Sequence, residues 1–224
     1  MGWSRVCARN LPSVEVLVEL DIDSMPIGLR YNLLLGAIVP RPIGVIGTMN
    51  AQGQHNLAPF SFFNAVSNEP MVLMFCPVSR ADASDNDSLR NAKPISEGGM
   101  GCFSVSVATE ENIAKVVKCA ANLPHGESEF DYAGLTAKLC AKIRAPYMAE
   151  SPIHFECETI EVKRFAPGVA HGGNAVFGRV IHARVDDALM HPRQHIDADK
   201  LRAVGRMGGK LYARTGDRFE LERG

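Results

Sequence analysis

Residues 40–70, PRPIGVIGTMNAQGQHNLAPFSFFNAVSNEP, decide the fold of this chain. The stretch begins with an apolar run at residues 43–49 that is rich in β-branched side chains. A polar, glycine-containing break follows at residues 50–54, and a second run, residues 57–66, carries three phenylalanines among small polar residues. Two short apolar runs separated by a glycine turn predict a β-hairpin.

Two prolines limit where the strands of this hairpin can pair. Proline has no backbone N–H to donate to a ladder, so Pro42 and Pro59 should lie at strand starts, sheet edges or bulges. In and beside the second run, Asn56, Ser61, Asn64 and Ser67 alternate with large apolar groups. We expect backbone amides without ladder partners there, available to an anionic or heteroaromatic ligand.

Composition limits the class of protein. The chain has 224 residues, 46% of them hydrophobic and 22% charged, which suits one sizeable all-β or α+β domain or two small ones. A formal net charge of −1 gives no basic footprint for nucleic acid or an anionic membrane. No apolar run is long enough to span a bilayer, and acidic residues interrupt residues 14–23, so no signal peptide is predicted. We expect a cytoplasmic protein.

Several kinds of site are disfavoured. The six cysteines are scattered without a C-x-x-C pair, which argues against structural zinc and favours free, buried thiols. His191 and His195 stand four residues apart, but Pro192 between them disfavours a helical metal pair, and no metal ligand is predicted. The sequence also lacks a Rossmann G-x-G-x-x-G, a Walker A motif and a G-x-S-x-G nucleophile elbow.

Local patterns elsewhere predict short strands with a few helices. Residues 109–122 have helical spacing, and a short helix should begin near Ser88 with Asn86 or Asp87 as its cap. In residues 153–165 the apolar positions switch parity, which predicts a strand with a β-bulge near residues 158–159. Short strands spaced by turns indicate a small antiparallel barrel with helical excursions.

The hairpin motif resembles a known family. PRPIGVIGT followed by NLAPFSFFNAVSNEP is similar to the flavin reductase-like family of FMN-binding split barrels, which are related to the pyridoxamine phosphate oxidases. RYNLLLGAIVP, SLRN, EFD and ESPIHFEC agree in order, so the resemblance covers residues 28–212. It implies a mainly β, antiparallel Greek-key split barrel over residues 25–224. Residues 1–24 would be an N-terminal extension, in which residues 14–22 alternate like a strand.

The resemblance also implies which residues meet FMN. A phosphate can be held by arginines, hydroxyls and helix N-terminal amides, and Ser79, Arg80 and the Ser88–Leu89 turn have these properties. The hairpin residues implied to lie near the cofactor are Arg41, Thr48, Asn56, Leu57, Ala58, Pro59, Phe60, Ser61, Phe62 and Asn64. No catalytic side chain is assigned, because the flavin would carry the redox chemistry.

Each of these residues also has a purely structural interpretation. Ser88 suits an ordinary capped surface loop, the phenylalanines suit a core, and Arg41 suits a solvated charge between two prolines. Three residues depart from the family pattern: Gly47 stands where serine is usual, Asn86 where lysine is common, and Arg179 where an acidic residue is frequent. The first two changes would weaken FMN binding.

The resemblance implies a homodimer in which NAD(P)H reduces FMN, with flavin and nicotinamide as small-molecule partners. His171, in a flexible turn, and Arg206, before two glycines, are weaker candidates for the substrate side of the site, Arg206 as an anchor for an anionic group. Two alternatives stay open. One is an FMN-binding electron carrier or sensor without NAD(P)H turnover of its own, and the other is a barrel that has lost its cofactor.

Overall fold

The computed structural model describes residues 17–124, 127–193 and 195–222. The chain forms two compact units, Met1–Ile38 and Val39–Gly224. Within the described residues, no helix combines the length and the apolar character needed to cross a membrane.

The first unit contains helix α1, Ile27–Ala37. Part of the strand predicted for the N-terminal extension, residues 14–16, lies outside the described residues, and residues 17–22 are not in a strand. That part of the strand prediction is wrong. The domain boundary predicted between residues 24 and 25 stays a prediction.

The second unit is built mainly from antiparallel strands. They are β1 (Gly44–Met49), β2 (His55–Phe60), β3 (Phe63–Asn68), β4 (Met71–Phe75), β5 (Cys102–Val107), β6 (Ala137–Leu139), β7 (Pro146–Met148), β8 (Ile153–Arg164), β9 (Asn174–Val185), β10 (Val204–Arg206) and β11 (Tyr212–Arg214). The helices are α2 (Asp87–Ala92), α3 (Ile113–Val116), α4 (Glu129–Ala133) and α5 (Ala198–Leu201), with 3-10 turns at Ile95–Glu97, Val117–Ala120 and Asp187–Leu189. Seven strands form one sheet in the order β2-β1-β5-β8-β9-β4-β3, while β6–β7 and β10–β11 form two-stranded ribbons.

The link between β2 and β3 makes the sheet curve. These strands lie at opposite edges of the sheet, yet only Ser61 and Phe62 separate them along the chain. Because an extended chain advances at most about 3.6 Å per residue, the facing ends of β2 and β3 lie within roughly 11 Å. A flat sheet of this size would hold its edges about 28 Å apart at the usual strand spacing. The sheet is therefore rolled into a barrel, and no ladder joins β2 to β3 in the described part of the chain.

The predicted hairpin is present as β1 and β2, although residues 61–62 split the second apolar run into two strands. β2 is an edge strand, as Pro59 requires. The Leu57 N–H is donated to Glu129 and therefore points away from β1. Since alternate residues of a strand point their N–H groups the same way, position 59 also faces the open edge, where proline loses no ladder bond.

The alternation of side chains along β1 divides the core into two clusters. Val45 packs with Leu57 and Phe130 in a cluster that α3 and α4 cover. Ile46 points to the opposite face and packs with Phe75 and other large side chains of the barrel interior. Polar side chains lie where the two strands meet at their turn, with Thr48 of β1 opposite Asn56 of β2.

Two local predictions are confirmed and one is wrong in length. The pairing of β8 with β9 shifts register between Thr159 and Glu161, where the bulge was expected. Asn86 caps α2, because its side-chain oxygen accepts the Leu89 N–H at 2.9 Å. The helix predicted over residues 109–122 is only α3 and a 3-10 turn, since Thr109 forms a β-bridge instead of starting a helix.

The ribbon β6–β7 packs against β1 and β5 so closely that it requires a glycine. The Ser104 hydroxyl donates to the Pro146 carbonyl at 2.5 Å. A Cβ at Gly47 would lie 2.1 Å from that same carbonyl oxygen. Packing therefore explains why glycine stands where the family usually has serine.

We expect Gly47→Ala to lower the free energy of unfolding by roughly 1–3 kcal/mol, because the ribbon must move away from β1. Urea denaturation measures this. Gly173→Ala is the matched control, since a Cβ there would lie 4.0 Å from its nearest neighbour, Phe165 Cδ2. Similar losses in the two variants would show that the β1–β7 approach imposes no such constraint.

Candidate functional site

Four predicted or neighbouring polar residues meet between the hairpin and α2, and we call them the amide–hydroxyl cluster: Thr48, Asn56, Ser88 and Asn91. The Asn56 amide donates to Thr48 Oγ1 at 3.1 Å and to Ser88 Oγ at 3.0 Å. The Asn91 amide donates to the same Thr48 oxygen at 3.2 Å. All four residues are buried. The cluster therefore ties the end of the hairpin to the first turn of α2.

Burial separates the residues that can touch a ligand from those that support them. The Thr48 side chain has no exposed surface, so it cannot touch a ligand and instead orients the Asn56 and Asn91 amides from the protein interior. Leu57 and Leu89 are likewise fully buried in the two core clusters, so their side chains cannot touch a cofactor. Asn91 is a member that sequence reasoning missed, although it closes the quoted Ser-Leu-Arg-Asn motif.

Two arginines flank the exposed side of α2. Arg80 pairs with the Asp87 carboxylate, and Arg90 binds the other oxygen of that carboxylate at 2.8 Å. A guanidinium carries five N–H donors, so one shared carboxylate does not exhaust either side chain. These three side chains together leave one positive charge beside Ser88.

Ser79 and His171 lie on the other side of Arg80. Ser79 is buried, and its hydroxyl oxygen accepts from the Asn174 amide at 3.4 Å. Asn174 also donates to the Gly172 carbonyl at 3.0 Å, and the His171 N–H donates to the Arg80 carbonyl at 3.4 Å. The structure thus brings the predicted turn at residue 171 next to the predicted phosphate-side loop. Asn174 was not predicted, because nothing local in its sequence marks its partner.

The open edge of β2 is partly occupied. The Leu57 N–H donates to Glu129 Oε2 at 3.0 Å, so this amide is not available to a ligand in the present arrangement. Burial raises the pKa of the Glu129 carboxyl, although the bond from Leu57 favours its charged form. Glu129 also lines a cleft of about 160 Å³ whose walls include Asn56, Asp87 and Arg90. This cleft adjoins the amide–hydroxyl cluster.

Arg41 belongs to a second group of predicted residues. Its side chain is buried and donates to Ser61 Oγ at 3.3 Å and to the Met207 carbonyl at 3.0 Å. The interpretation of Arg41 as a solvated charge is therefore wrong. The backbones of Arg41 and Arg206 exchange hydrogen bonds of 2.9 and 2.8 Å, which attaches the β10–β11 ribbon to the start of β1.

The Arg206 side chain is engaged within its own ribbon. Its guanidinium carbon lies 4.5 Å from the centre of the Tyr212 ring, and its nitrogens donate to the carbonyls of Gly209 and Leu211. These contacts stabilise the glycine turn.

The aromatic residues of the hairpin take different roles. Phe60 is partly buried, and its ring centre lies 5.0 Å from that of Phe75 in the barrel interior, as the core interpretation expects. Phe62 is 36% exposed. Ala58 and Pro59 are half-buried on the edge strand, and Asn64 is exposed with its side-chain oxygen accepting the Ala65 N–H. Pro59 and Phe62 are thus apolar surfaces that a planar ring can reach.

The flavin reductase like domain matches residues 35–199 of this sequence. The chain belongs to that family. An uncharacterized protein of Halalkalibacterium halodurans is 36% identical over 210 residues, which cover 92% of this chain and 96% of the relative. Nitrilotriacetate monooxygenase component B from Bacillus cereus is 30% identical with a TM-score of 0.85, covering 93% of this chain and all of that one.

A third similarity bears on the fold alone. A protein with a split barrel domain from Shewanella frigidimarina NCIMB 400 is 19% identical with a TM-score of 0.74, over 91% of this chain and 96% of that one. The predicted family and the mainly β split-barrel fold are confirmed. Family membership also supports a flavin-related redox role.

Glu129 predicts a pH dependence of stability. Because burial raises its pKa above 4.5, the folded state holds the proton more tightly than the unfolded state does. Ionisation of Glu129 therefore costs stability as the pH rises from about 4.5 through the folded pKa. The variant Glu129→Gln cannot ionise at this position, and its amide oxygen still accepts the Leu57 N–H. The free energy of unfolding of the variant, minus that of the wild type, should therefore increase as the pH rises through this range.

Urea unfolding at several pH values between about 4 and 7 measures this difference. Glu127→Gln, which changes an exposed carboxylate nearby, is the control for the loss of one negative charge. A difference for Glu129→Gln that does not change with pH would show that burial does not affect the titration of Glu129.

Proposed function

We propose that this protein is an FMN-binding oxidoreductase of the flavin reductase type, in which NAD(P)H reduces FMN or reduces an acceptor through bound FMN. One observation carries the proposal. The amide–hydroxyl cluster joins the hairpin to α2 next to two guanidinium groups, within the part of the chain that matches the family.

The donor set suits the FMN phosphate. Arg80 and Arg90 offer planar, charged donors, and the Ser88 hydroxyl adds a neutral one at the first turn of α2. The first two of the three departures from the family pattern, Gly47 and Asn86, leave this set in place. Gly47 leaves room for the Pro146 carbonyl of the β6–β7 ribbon, and Asn86 caps the helix on which Ser88 lies.

When bound, FMN would supply the hydride and electron chemistry. The residues of this chain bind and orient. Thr48 fixes the Asn56 amide, which in turn holds the Ser88 hydroxyl oxygen, so the phosphate-side donors are oriented before a ligand arrives. Pro59 and Phe62 would provide apolar contact for the ring. No side chain is needed as an acid or base in this scheme.

One observation favours a second candidate, an FMN-binding electron carrier or sensor. Arg206, the candidate anchor for an anionic substrate or the nicotinamide phosphate, uses its guanidinium on Tyr212 and on the carbonyls of its own turn. A protein without that anchor would bind NAD(P)H weakly. The rate of NADH and NADPH oxidation with and without FMN separates the two candidates.

Two copies of the chain and a cytoplasmic location belong to the same proposal. β3 is an edge strand that carries the exposed Val66, and Met71 on the adjacent strand β4 is also exposed, which gives a surface that a second copy could cover. Five cysteines are free among the described residues, which suits a reducing compartment. Light scattering of the purified protein tests the dimer.

The test of FMN binding compares FMN with riboflavin, which lacks the phosphate. We expect Ser88→Ala and Arg80→Gln each to raise the dissociation constant of FMN about tenfold, because each removes a hydrogen bond to a charged group. Riboflavin affinity should stay unchanged. Arg214→Gln, an exposed arginine paired with Glu110, is the control. Quenching of flavin fluorescence measures all of these constants.

The visible spectrum after desalting and the NAD(P)H oxidation rate complete the experiment. A retained flavin spectrum with NAD(P)H oxidation supports the reductase, and retention without oxidation selects the carrier. Failure to retain FMN together with failure to accelerate NAD(P)H oxidation would refute both.

A further inference from the structure

A second and larger recess lies beside the end of the sheet where β8 begins and β9 finishes. Its volume is about 1010 Å³, and it shares no residue with the amide–hydroxyl cluster. Tyr147, His154, Arg184 and Lys138 belong to its lining, and we call it the Tyr–His groove. Its size is that of a site for a small organic molecule.

His154 is the unusual residue of this groove. It is 3% exposed, and its ring stacks on Tyr147 with the ring centres 3.7 Å apart. Its Nε2 lies 3.9 Å from Glu156 Oε1, which is too far for a hydrogen bond. Across residues 17–124, 127–193 and 195–222, neither ring nitrogen of His154 has a hydrogen-bond partner. The described part of the protein itself therefore supplies no hydrogen bond to this ring.

The unmet nitrogens face the groove. Among the described residues, every side-chain nitrogen or oxygen that is sealed from solvent has a hydrogen-bond partner. The unpartnered nitrogens of His154 are therefore not sealed, and the opening available to them is the groove that this residue lines. A ligand in the groove can reach them.

Glu156 does not supply a hydrogen bond to the His154 ring. Its carboxylate accepts the backbone N–H groups of Ala141 at 2.9 Å and Lys142 at 2.6 Å. It also contacts His182 Nδ1 at 2.8 Å. With these three partners in a fully buried position, the carboxylate is held away from His154.

The strand registers place a cation at each end of the stacked pair. Lys138 lies opposite Tyr147 in the β6–β7 ribbon, and Arg184 lies opposite His154 in the β8–β9 ladder. Both cations are exposed, and neither forms an ion pair in the described part of the chain. The result is a row of four side chains, cation, phenol, imidazole and cation, along one wall of the groove.

Most other charged groups of the groove already have partners. Glu150 accepts the Thr136 N–H, Asp186 accepts the Ala188 N–H, Asp199 pairs with Arg218, Arg202 pairs with Glu110, and Lys200 with Asp197. Glu111 and Asp187 remain exposed among the lining residues. The carboxylates of Glu111 and Asp187 repel a multiply charged anion more strongly than a singly charged one.

We propose that the Tyr–His groove binds a small organic molecule through a single carboxylate, held by the Arg184 guanidinium and the His154 ring. A guanidinium matches the two oxygens of a carboxylate, and the imidazole N–H supplies a third donor. The remaining volume receives the organic part of the ligand. This site is separate from the one that we propose for FMN.

The titration of His154 agrees with this assignment. Burial lowers the pKa of His154, and Arg184 and His182 lower it further, whereas the Glu156 carboxylate opposes them. The free ring is therefore neutral near pH 7. A bound carboxylate beside it favours the charged form and should raise the pKa of His154.

The test uses the full chain without flavin and a matched pair of probes, phenylacetate and phenylacetamide, which differ in charge but hardly in size. The readout is the NMR signals of the histidine rings, with His154 assigned from the spectrum of His154→Gln. We expect phenylacetate to shift the His154 signals saturably and to raise its pKa, while phenylacetamide and inorganic phosphate bind at least about tenfold more weakly.

Variants of β9 test the role of the guanidinium. Arg184→Gln should raise the dissociation constant of phenylacetate about tenfold, because a charged, two-oxygen contact is lost. Arg179→Gln, on the same strand and paired with Glu158, should leave it unchanged. Both side chains are exposed, so neither change threatens the fold.

Four results would overturn the proposal. They are equal binding of phenylacetamide, tighter binding of phosphate than of phenylacetate, an unchanged dissociation constant in Arg184→Gln, and saturation without any shift at His154. Since the readout needs neither flavin nor NAD(P)H, failure here leaves the proposed FMN site untouched. Failure to bind FMN likewise leaves this groove untouched.

Discussion

The two-residue link between β2 and β3 is the constraint on which the rest of the structure depends. It forces the two edges of a seven-stranded sheet together, so the sheet must roll around the phenylalanines of its interior. Rolling gives the hairpin two distinct faces. One face packs on α3 and α4, and the other on the barrel interior and α2. The open edge of β2 then becomes a place where backbone groups can meet side chains from distant segments, as Leu57 meets Glu129.

Buried polar side chains hold the accessory segments onto this barrel. Asn56 ties α2 to the hairpin, Asn174 ties the loop at Ser79 to β9, and Glu156 holds two backbone amides of the segment before β7. Each buried polar group would cost stability if its partner were removed, so these segments have few alternative positions. The phosphate-side donors of the candidate FMN site are therefore held in place by the fold.

The sequence was informative where the physical cause is local. The hairpin, the edge position of Pro59, the cap at Asn86 and the bulge in β8 each follow from a few neighbouring residues, and all are present. The helix over residues 109–122 was overpredicted, because Thr109 is taken up by a β-bridge to Ala203, a partner that helical spacing does not reveal. Gly47 was recognised as unusual, but its cause, the approach of the Pro146 carbonyl, lies about a hundred residues away along the chain.

The candidate site was predicted in part for the same reason. Ser88 and Asn56 carry a family motif, whereas Glu129 and Asn174 act through partners set by strand pairing and loop packing.

His154 is the residue whose role the sequence reveals least. In the sequence it is one histidine of an alternating strand, two residues before a glutamate that would be its expected partner. In the fold, the four side chains at His154, Glu156, His182 and Arg184 share one face of the β8–β9 ladder. The single carboxylate among them is engaged by His182 and by two backbone amides. The imidazole that is left without a partner is the one that borders the groove, beside a cation that is also unpaired. Within the residues that the structure describes, the His154 imidazole without a hydrogen-bond partner and the Arg184 guanidinium without an ion-pair partner therefore lie side by side on one wall of the groove. A single carboxylate can bind both of them.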